Sequence, residues 1–115
     1  KCVKLFDQNR TLGQIPKVSL IKGDFNVTAE KFLVENQHVI FSLLYLDFDL
    51  YEPTATALKQ FLPRCGKGSI IAFDEINHPL WPGETLALLE YMDIKHSSIQ
   101  CFEYEPNISY IRLGE

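Results

Sequence analysis

The chain has 115 residues, 46% of them hydrophobic and 23% charged, the length of one domain, and a chain of this size buries roughly 65% of its unfolded surface, enough for a core. Lys and Arg number 11 against 15 Asp and Glu, a net charge of -4, and no basic run occurs, which excludes a nucleic-acid groove by composition. No apolar stretch reaches the roughly 18 residues that a membrane-spanning helix needs.

In chain order, Lys1 to Gln8 carries Val3, Leu5 and Phe6 and reads as a helix tail. Asn9 to Lys17, with Gly13 and Pro16, reads as a loop. Val18 to Lys22 is a short apolar run closed by Gly23-Asp24 and is expected to be a strand. Thr28 is the expected N-cap of a helix running to about Glu35, with Ala29, Phe32 and Leu33 inward. Val39 to Asp47 is the first long apolar run, expected to be a strand buried on both faces. Pro53 suits the first turn of the next helix, which places Ala55, Leu58, Phe61 and Leu62 on one face. Pro63, Gly66 and Gly68 end it, and Ser69 to Phe73 is the second buried strand. After a loop from Ile76 to Pro82, a third helix from Glu84 to Met92 turns Leu86, Leu89 and Met92 inward. Ile99 to Tyr104 and Ile108 to Leu113 flank Glu105-Pro106-Asn107 as an antiparallel hairpin.

Helical crossovers between buried strands imply right-handed βαβ units. The expected fold is therefore α/β, with a Rossmann-like, mostly parallel sheet ending in an antiparallel hairpin. Cys2, Cys65 and Cys101 are scattered and odd in number, which indicates free thiols and a reduced, cytoplasmic setting. Three glycosylation sequons, at Asn9, Asn26 and Asn107, carry no weight without a signal peptide. Lys1 rather than Met opens the chain, so its start is expected to lie upstream.

Two acidic clusters carry the chemistry. Leu43-Leu44-Tyr45-Leu46 ends in Asp47-Phe48-Asp49, and Ser69-Ile70-Ile71-Ala72-Phe73 ends in Asp74-Glu75. In an open α/β sheet, ligands bind beyond the carboxyl ends of the strands, where acids from two strands converge. Hard cations such as magnesium take oxygen ligands, so Asp47, Asp74 and Glu75 form a candidate metal set. The alternative is an exposed acidic turn, and for Asp49 a brace of the turn that follows. His78, in the loop after Glu75, reads as an exposed loop histidine, with a base or ligand as the alternative; His38 and His96 look incidental. Trp81-Pro82-Gly83 either lines a substrate pocket or forms a rigid turn into the third helix with Trp81 packed.

The ordered motifs Lys22-Gly23-Asp24-Phe25, Leu46-Asp47-Phe48-Asp49-Leu50-Tyr51-Glu52-Pro53-Thr54, Phe73-Asp74-Glu75 and Trp81-Pro82-Gly83 resemble the macrocin O-methyltransferase type of class I S-adenosylmethionine-dependent methyltransferases. The likeness runs roughly from Val18 to Leu113. It implies a seven-stranded sheet ending in a hairpin, S-adenosylmethionine as methyl donor, and a magnesium ion holding the acceptor hydroxyl. It places Asp47 as first metal ligand and Asp74 and Glu75 as the acidic pair. Asp24 is implied at the adenine, with Phe25 beside the ring. The family's Gly-rich donor loop and its ribose-binding acid have no counterpart here. The resemblance therefore makes residues 1–115 a single partial domain lacking the N-terminal strands.

The implied activity is metal-assisted methyl transfer to the hydroxyl of a small-molecule acceptor, a sugar or natural product, with Asp47 also placed to accept the proton. One rival reads Asp47 and Asp49 as the Asp-x-Asp of a metal-dependent sugar-nucleotide transferase or a phosphatase. The other reads an inactive, partner-binding fragment, whose half-sheet exposes an apolar strand edge and invites pairing into a homo-oligomer. Neither nucleic acid nor membrane is an expected partner.

Overall fold

The computed structural model describes all residues, Lys1–Glu115. Helix α1 (Cys2–Asn9) is followed by α2 (Phe25–Glu35), β1 (Phe41–Leu46), α3 (Tyr51–Phe61), β2 (Cys65–Phe73), α4 (Gly83–Tyr91), β3 (Ile99–Phe102) and β4 (Glu105–Arg112). The four strands form one sheet in the order β1-β2-β4-β3. β1 and β2 are parallel, with Leu44 opposite Ile71 and Leu46 opposite Phe73. β4 runs antiparallel to both β2 and β3. The α/β class and the closing hairpin are as the sequence implies, and within this chain the parallel part is the single pair β1–β2.

The core lies on one face of that sheet. Leu44 and Leu46 of β1, Ile71 and Phe73 of β2 and Ile111 of β4 meet Ala55, Ala57 and Leu58 of α3 and Ala87 and Leu88 of α4. Full burial of each large side chain here contributes about 1.5–3 kcal/mol. β2 is covered on both faces near its end, with Ile71, Ala72 and Phe73 all buried, whereas β1 alternates: Leu43 and Tyr45 are 57% and 49% exposed. They line an open groove of ≈ 450 Å³ with Ile70, Phe102, Ile108 and Tyr110. Helices α3 and α4 pack on the other face, so the apolar run of β1, which looks doubly covered, is covered once.

Four local expectations are corrected. Val18 to Lys22 forms no strand and pairs with none. A β-propensity run becomes a strand only when a neighbour takes its N–H and C=O groups. The N-cap of α2 is Asp24, not Thr28; its carboxylate accepts from the Asn26 N–H at 2.9 Å. In α4 the inward residues are Gly83, Glu84, Ala87 and Leu88, whereas Leu86 and Leu89 are about half exposed. Close packing of α4 on α3 selects the small-residue stripe, Gly83 and Ala87, over the leucine stripe. The hairpin turns at Glu103-Tyr104, and Pro106 lies within β4, beside the irregularity where Phe102 pairs with Glu105 and Cys101 with Ser109. A strand irregularity next to the turn tolerates a residue without an N–H.

Candidate functional site

The site forms where β1 and β2 end side by side. Their register pairs Leu46 with Phe73, and the Asp74 N–H donates to the Leu46 carbonyl at 2.9 Å. Asp47 and Asp74 are the next residue on each strand. The backbone thus sets the residues that carry the two acids side by side. Asp47 is exposed and Asp74 half-buried.

The Tyr45 hydroxyl donates a hydrogen bond to Asp74 Oδ1. That bond, then burial and the nearby charges of Asp74, Asp47 and Glu84, pushes the Tyr45 phenol up to about 12. Glu75 turns elsewhere. Its Oε2 faces His78 Nδ1 at 4.0 Å; both atoms are buried, and neither has a hydrogen-bond partner. His78 is thus half-buried beside an acid rather than exposed in its loop. His96 pairs with Asp93 at 2.6 Å on the surface, and His38 is exposed. No three His, Cys, Asp or Glu side chains stand together as ligands for a metal ion. Asp74 is engaged by Tyr45 and Glu75 points to His78, so the oxygen donors Asp47, Asp74 and Glu75 do not fit a cation in this arrangement.

Glu84 is the residue that sequence reasoning missed. It is 0% exposed. Its Oε1 accepts from the Phe48 N–H at 3.1 Å and the Asp49 N–H at 3.2 Å, and its Oε2 accepts from the Glu75 N–H at 3.1 Å. Burial raises its carboxyl above the ordinary range, against the lowering pull of those three N–H groups. An acid in the first turn of a helix reads in sequence as an exposed partner of the helix dipole, so no pattern marked it. Tyr45 had a signal: a phenol within the leucine run Leu43-Leu44-Tyr45-Leu46, two residues before Asp47.

Asp49 takes a left-handed backbone, φ 59°, which aspartate tolerates better than most residues. Gly83 sits against that turn, where a Cβ would come within 2.6 Å of the Asp49 carbonyl oxygen. Phe25 packs its ring on Phe48 at 4.7 Å and Phe61 at 5.6 Å. That contact brings the Gly23-Asp24-Phe25 turn beside the end of β1. Asp24 is exposed, with one carboxylate oxygen used as the cap of α2. Trp81 is 45% exposed and Leu80 77% exposed in the loop between Glu75 and α4. The packed alternative for Trp81 is not the one adopted. Cys2, Cys65 and Cys101 are free thiols. No helix is long and apolar enough to cross a membrane.

No family model and no curated protein matches the chain. Among solved structures, it is similar to the apo form of CalS11, a TDP-rhamnose 3'-O-methyltransferase of calicheamicin biosynthesis. That match has 33% identity and a TM-score of 0.89 over 98% of this chain and 49% of that one. A second structure, of CalS11 as calicheamicin methyltransferase, gives 33% identity and a TM-score of 0.90 over 98% and 44%. The chain therefore spans about half the length of the methyltransferases it matches. At 33% identity across 98% of its own length, the chain is identified as part of a methyltransferase fold of the kind seen in these structures.

Proposed function

We propose that this chain forms the acceptor-side half of an enzyme that methylates a hydroxyl of a sugar, with S-adenosylmethionine as donor. The observation that carries the reading is the match to a TDP-rhamnose 3'-O-methyltransferase across 98% of the chain, which includes both acidic strand ends. S-Adenosylmethionine supplies an electrophilic methyl group. Of the residues expected to touch it, this chain contributes Asp24 and Phe25 at the adenine end. Asp47 is the general base: Tyr45 occupies Asp74, which leaves Asp47 as the exposed carboxylate of the pair. With the donor bound, Asp47 would accept the proton that the acceptor hydroxyl gives up on methylation. Holding the two reactants in line supplies much of the remaining acceleration. Trp81 offers an exposed apolar ring to a sugar face.

Metal assistance requires a rearrangement. Asp74 holds the Tyr45 hydroxyl through Oδ1 and Glu75 faces His78, so Glu75 would have to turn back for the three acids to share a cation. A soluble, cytoplasmic setting suits this reading.

The test is methyl transfer from labelled donor to a nucleotide-linked deoxysugar, using a protein that carries this chain together with the other half of the fold. Asp47→Asn should lower kcat by about a hundredfold to ten-thousandfold, the usual contribution of a positioned acid–base group. Transfer at an unchanged rate in Asp47→Asn would remove Asp47 from the chemistry. Absence of transfer to any sugar hydroxyl in the wild type would overturn the function.

A further inference from the structure

We propose that Glu84 is a positioning residue that sets the spacing of the two acidic strand ends through one buried carboxylate. The inference rests on reading those strand ends as the methyl-transfer site. The contact pattern carries it. Phe48 and Glu75 each directly follow a site acid, Asp47 and Asp74, and Glu84 accepts the backbone N–H of both. One oxygen also takes the Asp49 N–H. A side chain from a third element, α4, thus grips the peptide unit on the carboxyl side of each acid.

Two features separate this from ordinary helix capping. First, the Glu84 bonds run outward to two other loops, while α4 itself has no side-chain cap. Second, the residue is fully buried. A buried carboxylate is a poor device for stability alone, because desolvation offsets most of the gain and a well-packed apolar residue often does as well. Three N–H donors justify it when the loop geometry is what must be fixed. Gly83 makes the reach short enough, since any side chain there would collide with the Asp49-Leu50 backbone. Asp49, held at φ 59°, is kept in place by the same grip.

The isosteric variant Glu84→Gln retains one acceptor oxygen and turns an NH2 toward the other loop. In the full chain, amide hydrogen exchange followed by nuclear magnetic resonance reads the grip without substrate. We expect exchange at least about tenfold faster at Glu75, or at Phe48 and Asp49, with Leu44 and Ile71 unchanged. Unchanged exchange at all three loop amides would overturn the proposal. So would an equal acceleration at Leu44 and Ile71, which marks a merely stabilising role. Should Glu84→Gln not fold, Glu84→Asp keeps the charge with a shorter reach and is judged by the same amides. In the complete enzyme, Glu84→Gln should lower kcat about tenfold to a hundredfold at unchanged donor KM, the cost of a small misplacement. A wild type without methyl transfer removes the proposed function, while the amide rates still decide the role of Glu84.

Discussion

Tyr45 shows how one hydroxyl changes the meaning of an acidic cluster. By holding Asp74 it divides two carboxylates that would otherwise act alike: Asp74 becomes an acceptor for the phenol and Asp47 stays exposed. The phenol pKa, pushed to about 12 chiefly by that bond, is the measurable consequence. Because the folded value lies above the ordinary one of about 10, the bond favours the folded state below about pH 10 and that contribution is lost as pH rises through 12. Absorbance titration of the tyrosines should show one phenol ionising late, and Asp74→Asn should bring it back toward about 10. If the late phenol persists in Asp74→Asn, the bond is not its cause. Glu75 and His78 make the opposite point: although adjacent to Asp74 in sequence, Glu75 turns its carboxylate toward His78 in the loop beyond β2.

At the scale of elements, the contact between α4 and the turn after β1 decides the site. Helix α4 meets α3 and that turn through Gly83, Glu84, Ala87 and Leu88. The first of these has no room for a side chain, because a Cβ would lie 2.6 Å from both the Asp49 oxygen and the Leu50 carbonyl carbon. Both neighbours are backbone, so neither can swing aside. Gly83→Ala should destabilise the chain by about 1–3 kcal/mol, the usual cost of overpacking, and urea unfolding with an unchanged m-value would show it. A stability equal to the wild type would mean that α4 can shift away freely, which its buried Glu84 should not allow.

For the whole molecule, the decisive fact is coverage. Helices shield one sheet face, while Leu43 and Tyr45 on the other face and the outer edge of β1 stay open. The solved methyltransferases are about twice as long, and the Gly-rich donor loop and ribose acid that the resemblance implies have no counterpart in this sequence. This chain alone should therefore bind S-adenosylmethionine poorly. In the proposed role at the adenine, Asp24 and Phe25 would offer one good hydrogen bond and some stacking, a net of about 1–3 kcal/mol, whereas micromolar binding needs about 8 kcal/mol. Much of that ring is already engaged by Phe48 and Phe61. Calorimetric titration should show no saturation at micromolar donor; saturation there would place the donor site elsewhere.

Sequence by itself determined the order of helices and strands from Phe25 onward, the hairpin at the end, and the pairing of Asp47 with Asp74 at neighbouring strand ends. These follow from local physics: apolar period, Pro and Gly positions, and the rule that parallel strands end at the same side of a sheet. Only the tertiary structure decided that Val18 to Lys22 finds no strand to pair with, that Leu86 and Leu89 face outward, and that Tyr45 claims Asp74. It alone revealed Glu84, which lies 36 residues from Phe48 and 35 from Asp49. The physical reason is the same in each case. A strand partner, a close-packed helix face or a buried hydrogen bond depends on what a distant segment brings, and no local pattern of residues encodes that.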